Sequence, residues 1–450
     1  MGHNSWFKFG AALGLSTCLS LAYAGSATDD IKLDFTSYIR TNPEYSMIML
    51  NENTTRINDK QLFLLQSRQA NTIEDGYFYV GSRLIVLADY QNSNVDSKFG
   101  WLMRHPTSAN QIGDNVSEAV VHSVQLGLTG NILPWMTMYA NFLYDPEQSF
   151  GAGTITALGR NQIQVRKAYA LLGDLDQAPF YFTIGKFESP FGLTDSVDPF
   201  TSSTVWHAFA GLSYGAKLSF YSNGFHLSGE LAQGGAQFRA MNTPVENTAV
   251  PSRLNNYVLD GNYELPFNEN SSAMLGASYV RGSAYCQGFP VVHFTPCDSA
   301  NPAYDVYGRL VLNRLTIQGE FAKTTDEWPG TFNPTPPLDE FSAHKVTSFD
   351  VGLKYSAHVG ERDYDLSGSF SRFEAGPDGA PWHRQDQIVI GLATEVKTVK
   401  FFGEYIRVNG FAPLNFISGS LPDQPFPAGT THSQDDVHNN IFMVGLEATV

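Results

Sequence analysis

From Gly76 to Val450, apolar and polar residues alternate with a period of two in segment after segment, and this restricts the fold more than any other feature. A helix repeats every 3.6 residues, whereas a strand turns successive side chains to opposite faces. In MTMYANFLY, Met136, Met138, Ala140, Phe142 and Tyr144 oppose Thr137, Tyr139 and Asn141. Tyr257, Leu259 and Tyr263 oppose Asp260, Asn262 and Glu264, and near the end Phe442, Val444, Leu446, Ala448 and Val450 oppose Gly445, Glu447 and Thr449. The same spacing sets Val120, Val124, Leu126 and Leu128 against Ser123, Gln125 and Thr129. In water such strands would leave one apolar face exposed or need a second sheet. In lipid that face is solvated, and closing the sheet on itself satisfies every backbone donor and acceptor.

The connections carry the argument further. Strands are expected near 76–90, 118–129, 135–145, 161–173, 179–190, 208–221, 224–234, 255–265, 272–283, 303–313, 314–324, 346–358, 362–373, 385–396, 398–409 and 438–450, about sixteen in all. Short turns such as 130–134, 222–224, 313–314 and 396–398 alternate with long polar segments at 91–117, 235–253, 284–302 and 410–437. Short turns on one side of a membrane and long loops on the other mark an all-β transmembrane antiparallel barrel with periplasmic turns and extracellular loops. Asn161–Phe191 shows the unit: two strand runs joined by GDLDQAP, a cluster of turn-forming residues. Within it, however, Lys167 shares a face with Ile163 and Val165, and Lys186 shares one with Phe182 and Ile184. A bulge near Gly185 is therefore expected to re-aim Lys186 into the lumen, leaving Arg166 with Gln162 and Gln164.

The start of the chain sets the compartment. Residues 1–24 have the form of a secretory signal peptide: Lys8, then the apolar run FGAALGLSTCLSLAYA ending in Ala22-Tyr23-Ala24. Residues 25–75 are expected to be a periplasmic or lumenal extension with a short amphipathic helix built on Ile57, Leu62 and Leu65, starting near Asn58 or Asp59, and residues 76–450 to be the barrel. No later stretch has the long uncharged apolar run of a transmembrane helix. Only 16% of residues are charged and 13% are aromatic, a balance that suits a barrel wall better than a soluble surface. The net charge of −16 makes nucleic acid an unsuitable partner. Cys286 and Cys297, the pair left after export, are expected to close a loop as a disulfide.

If apolar positions face lipid, the charged positions of opposite parity line the pore. The basic ones are Arg83, Lys217, Arg309 and Lys354, with Lys400 near the end and Arg166 and Lys186 from the hairpin. The acidic ones include Glu230, Asp260, Glu264, Glu320 and Glu404, with Asp350, Asp365, Glu395 and Glu447. Each taken singly is a solvated wall residue; taken together, their sign sets ion preference. The constriction is expected in residues 191–207, which offer Asp195, Asp198, Phe200 and Trp206 and no Lys or Arg. Enzyme signals are weak. Gly211-Leu212-Ser213-Tyr214-Gly215 matches a nucleophile elbow in letters but sits in a strand, where the motif has no strand-turn-helix to act from. His432, Asp435, Asp436 and His438 match no standard metal spacing, so no catalytic residue, metal or cofactor is expected.

The run RKAYALLGDLDQAPFYFTIGKFESPFG (166–192) resembles the hairpin of the LbtU-type siderophore porins, the legiobactin-receptor family, and is similar more distantly to phosphate-selective outer-membrane porins. Residues 56–69 are similar to that family's segment ahead of the barrel. The resemblance implies a Gram-negative outer-membrane barrel that takes up a ferric siderophore without TonB. The excess of acidic lumenal positions departs from a phosphate pore. Two functional classes remain: a porin passing small solutes, and a non-transport surface barrel (adhesin or structural) with an occluded lumen. Expected partners are outer-membrane lipid, the barrel assembly machinery and a small solute or ferric siderophore, with a homotrimer left open.

Overall fold

The computed structural model describes residues 38–51, 60–94, 114–144, 163–193, 195–233, 254–286, 299–328, 343–378, 383–413 and 433–450. Its first elements are a two-residue strand, β1 (Ile39–Arg40), and two helices, α1 (Pro43–Leu50) and α2 (Lys60–Gln69). The barrel strands are β2 (Phe78–Ser93), β3 (Asn115–Leu133), β4 (Met136–Tyr144), β5 (Ile163–Gly173), β6 (Phe180–Glu188), β7 (Leu212–Ser222), β8 (Phe225–Gln233) and β9 (Asn256–Asn268). They continue as β10 (Ser271–Val280), β11 (Ala303–Leu312), β12 (Leu315–Thr324), β13 (Thr347–Val359), β14 (Arg362–Glu374), β15 (Arg384–Val396), β16 (Val399–Pro413) and β17 (Ser433–Thr449). A third helix, α3 (Thr204–Phe209), lies between β6 and β7.

Each barrel strand pairs antiparallel with the next, and β17 pairs with β2 from Asn439↔Ser93 to Thr449↔Arg83. The result is a closed antiparallel barrel of sixteen strands, β2–β17, with β1 added in parallel beside Phe78 and Tyr79. All sixteen strand segments expected from the alternation are present. The tight turns follow their residues. Asn223 and Gly224 both take positive φ (50° and 83°), as a two-residue hairpin turn requires. Asn313 and Lys397 take positive φ at the equivalent turns.

Alternation sorts the wall into two chemistries. Leu218, Leu227, Leu259, Leu353, Leu392 and Val444 are at least half exposed on the outer face. Aromatic pairs cross neighbouring strands on that face toward both ends: Phe180–Phe220 and Phe225–Tyr263 at the turn end, Tyr405–Phe442 and Phe349–Phe370 at the loop end. An apolar belt flanked by aromatics is a lipid-facing surface. The inner faces are polar at mid-wall, and the chain's own segments cover them.

Two irregularities correct the simple parity. In β3 the register with β2 shifts between Ile85 and Val86, so His122 is an extra residue. Val120 therefore turns inward against the apolar cluster of Ile85, Phe200 and Phe402, and Val121 takes the outer face. In the hairpin, the register shifts opposite Asn141/Phe142, and Arg166 is the residue passed over. This bulge in β5 re-aims Lys167, not Lys186: Lys167 joins Tyr169 and Leu171 on the inner face. The β6 ladder keeps its register through Gly185, and Lys186 stays opposite Ala168 and Tyr214 on the outer face. Lys186 Nζ donates to the Val165 carbonyl at 3.1 Å, beside the bulge, and lies 5.6 Å from the Tyr214 ring. The ammonium thus reaches backbone, and Lys186 keeps only 3% of its surface exposed although its parity is that of the outer face.

Gly185 nevertheless takes a backbone conformation that suits glycine alone. Its φ of 138° disfavours any side chain, and an added Cβ would overlap the Ala168 carbonyl oxygen and lie 2.7 Å from Tyr169 Cα. Gly185→Ala is therefore expected to cost about 1–3 kcal/mol, read as an earlier loss of the compact, heat-modifiable band on gel electrophoresis; unchanged heat resistance would count against the strain.

Candidate functional site

The lumen holds two inserted parts of the chain. The first is the N-terminal segment. Asn42 caps α1, its side chain accepting from Tyr45 N at 3.1 Å, and Pro43 comes next at the first helical position. The helix packs on the inner wall where glycines remove bulk: Ser46 lies against Gly81 and Leu50 against Gly127. Tyr45 OH bonds Thr129 Oγ1 at 2.9 Å, and Met49, Leu62 and Leu65 join Tyr79, Tyr139 and Tyr169 in a buried apolar cluster. At its far end α2 is tied to the turns: Arg68 donates to the carbonyls of Leu133 and Pro134, and Gln69 to Asp176. The expected extension helix is present from Lys60; Ile57, Asn58 and Asp59 lie outside the described residues. Helix α1 was not expected.

The second insertion is the chain between β6 and β7. It crosses the barrel. Asp198 accepts hydrogen bonds from Ser367 Oγ (2.9 Å) and Ser369 Oγ on β14, and β14 stands eight strands from β6 in the ring of sixteen, directly opposite. On the way, Gly192 N donates to Ser278 Oγ (2.8 Å), Asp195 pairs with Arg309, and Gln318 donates to the Asp195 carbonyl (2.7 Å). Val197 fills the space over Gly352, and Pro199 that over Gly391. Glu404 receives the backbone N–H groups of Phe200 (2.6 Å) and Thr201 (3.1 Å), Lys400 donates to Pro199 O (2.7 Å), and Phe200 stacks on Phe402. Ser203 then caps α3 through Trp206 N, and Thr204 binds Ser348 and Ser371. Asp195, Asp198, Phe200 and Trp206 are all buried inside the barrel.

The remaining candidates fall into four groups. Arg83 faces inward, pairs with Glu447 at 2.5 Å and donates to the Leu50 carbonyl, and Lys217 Nζ donates to Gln61 Oε1 at 3.1 Å, so both hold the N-terminal segment. Asp260, Arg309, Glu320 and Glu404 face inward beneath or beside the crossing loop, with Asp260 taking bonds from Ser278 and Tyr307. Glu264 and Lys354 lie on inner faces nearer the turns, Lys354 being 3.7 Å from Asp365, and Glu230 accepts from Ser213 at 2.7 Å. Arg166 lies in the β5 bulge and Lys186 on the outer face, both off the regular inner wall. Cys286 is disulfide-bonded; Cys297 lies outside the described residues.

Sequence reasoning missed Asp305 on the inner face and the row Ser367, Ser369 and Ser371. Small hydroxyls and glycines at inward positions are the signal that could have marked the loop's footprint, since they leave room for a second layer of chain. Burial, and then the nearby Glu404 carboxylate, push Asp198 up to about 7. No group of three or more metal-ligating side chains occurs among the described residues.

The architecture is that of an outer-membrane barrel. An anion-selective porin from Comamonas acidovorans superposes with a TM-score of 0.50 at 12% identity, covering 83% of this chain and 99% of that one. The fold is a porin fold. OprB of Pseudomonas putida aligns over 89% of this chain and 99% of its own, at 9% identity and a TM-score of 0.48. No family model matches the chain. In sequence, a UPF0422 protein of Coxiella burnetii is 22% identical over 194 residues, 42% of this chain. The match spans 38% of that relative's length.

Arg309 is the cation that answers Asp195 where the loop meets β11. Arg309→Met is expected to leave a buried carboxylate uncompensated and to cost about 3–5 kcal/mol, seen as a lower guanidinium unfolding midpoint. Arg309→Met with Asp195→Asn should recover most of that loss; no recovery would show that the pair does not act as a unit.

Proposed function

We propose that this protein is an outer-membrane channel for small solutes, its lumen narrowed by the chain that crosses from β6 to β14. The crossing itself carries the reading. A barrel that served only as an anchor has no need of a polar strap across its middle, whereas a channel needs a narrow, charged section to discriminate among solutes. The outer apolar belt and the inner polar wall fit a bacterial outer membrane, with the tight turns toward the periplasm.

The finer proposal is TonB-independent uptake of a ferric siderophore. Its support is the resemblance of residues 166–192 to siderophore porins. The acidic inner groups favour a solute that presents positive or neutral surface. The second reading, a surface barrel with an occluded lumen, is favoured by one observation: α1 and α2 pack into a buried apolar cluster inside the turn end. Under the channel reading this segment narrows the turn-end mouth.

Bilayer recordings of the purified barrel test the first reading, with discrete conductance steps expected; folded barrels that never conduct would leave the occluded reading. Deletion of residues 39–75 should raise the step size, and an unchanged conductance would mean that the segment does not limit flow. Growth of a deletion strain under iron limitation, with and without defined ferric siderophores, tests the finer proposal. Equal growth in all conditions would remove it.

A further inference from the structure

The surface between the crossing loop and the wall is crowded with acid. The loop brings Asp195 and Asp198. The wall meets them with Asp305 on β11, Glu320 on β12, Asp350 on β13 and Glu404 on β16, all buried. Gly192 sits directly over Asp305 and Glu320, and Asp350 is within electrostatic reach of Asp195, Asp198 and Glu320. Among the described residues the cations on the same surface are fewer. Arg309 is taken by Asp195; Lys400 donates to Pro199 O and lies 3.6 Å from Glu447, which Arg83 also holds. The loop also carries the buried His207, edge-on to Trp206 at 5.1 Å, and other titratable groups meet it: His122 lies edge-on to Phe200 at 5.0 Å, and Tyr285 OH donates to the Ala208 carbonyl at 2.9 Å. Facing Asp198 itself are Ser367 and Ser369 on β14, Asp350 on β13 and Glu404 on β16, with Ser196 from the loop.

Buried carboxylates in excess of their cations cannot all be ionised while they stay buried together. Something must neutralise part of the set. The described residues offer no three-ligand metal group here, and the three hydroxyls on Asp198, from Ser196, Ser367 and Ser369, fix its position without supplying charge. A proton on a carboxyl supplies that neutralisation without any further group.

We propose that the crossing loop is a proton-held latch, docked on the β13–β16 wall while Asp198 carries a proton and released when that proton leaves. The proposal rests on the channel reading above and adds its regulation. The direction comes from the raised pKa of Asp198, about 7 when docked against an ordinary value of 3.8. Below the lower value both forms are protonated and docking is fully favoured. Between the two values the undocked loop ionises first, so docking weakens as pH rises, by up to about tenfold per pH unit. Above the docked value both forms are ionised and docking stays at its weakest. Conductance should therefore climb from about pH 4 to about pH 7 and level off beyond.

The test records conductance of the full-length barrel in planar bilayers across that range, for wild type and Asp198→Asn. The expected result is a several-fold rise for wild type and a low, flat response for Asp198→Asn, whose side chain stays neutral at every pH. A flat wild-type profile, or the same rise in Asp198→Asn, would overturn the latch. Chymotrypsin cleavage at Phe191, Phe200 or Trp206 gives a second readout that needs no current: wild-type loops should become cleavable as pH rises, and Asp198→Asn loops should not. Barrels silent at every pH but cleaved in this pattern would sink the channel reading and keep the latch; pH-independent cleavage would sink the latch whatever the current. Glu404→Gln, which removes the neighbouring repulsion, should move the midpoint to lower pH, and an unmoved midpoint would count against the assigned pair.

Discussion

Everything in this molecule depends on one closure, the pairing of β17 with β2. A strand edge in lipid would leave a row of donors and acceptors unmet, each costing several kcal/mol. Closing the sheet removes both edges at once. The closure also creates an interior, and that interior has to be filled or hydrated. Here the chain fills much of it with its own segments, each fastened by carbonyl and hydroxyl contacts to the inner wall. The apolar residues that in a soluble protein would form one core are divided: one set greets lipid outside, and another forms separate clusters within the lumen.

How much of this was legible in the sequence varied with the range of the cause. The strands were legible because their signal is local: alternation and turn residues such as Asn223-Gly224 lie within a dozen positions. The bulges were harder, because alternation predicts a regular ladder and a single extra residue reverses it. His122 and Arg166 each reverse the faces of the residues on one side of them, and only the neighbouring strand shows where. Within the hairpin the need for an irregularity was readable from two lysines on apolar faces, but not which of them would be re-aimed. Lys167 turned inward; Lys186 stayed outside by reaching a freed carbonyl.

The site was legible as a list and not as an arrangement. Residues 191–207 stood out by composition, yet their partners lie more than one hundred positions away, as with Asp198 and Ser367. Helix α1 left no periodic trace in PEYSMIML, because what steadies it is the glycine-smoothed wall at Gly81 and Gly127. Glycines of inward parity, at 81, 127, 352 and 391, form a pattern that points to a second layer of chain, and each of them meets one.

Arg83 ties two of these layers together in a way that bears on assembly order. It sits on the closing seam, opposite Thr449, where it neutralises Glu447, and it also reaches the last carbonyl of α1. Strand β2 is made first and β17 last, so the seam forms only when the rest of the wall exists. Helix α1 precedes β2 and touches both seam strands from within. A helix left outside at that moment would face a finished wall, and Arg83 would enter the seam with one of its acceptors missing. The arginine thus makes the last stitch of the barrel sensitive to whether the first helix is already inside.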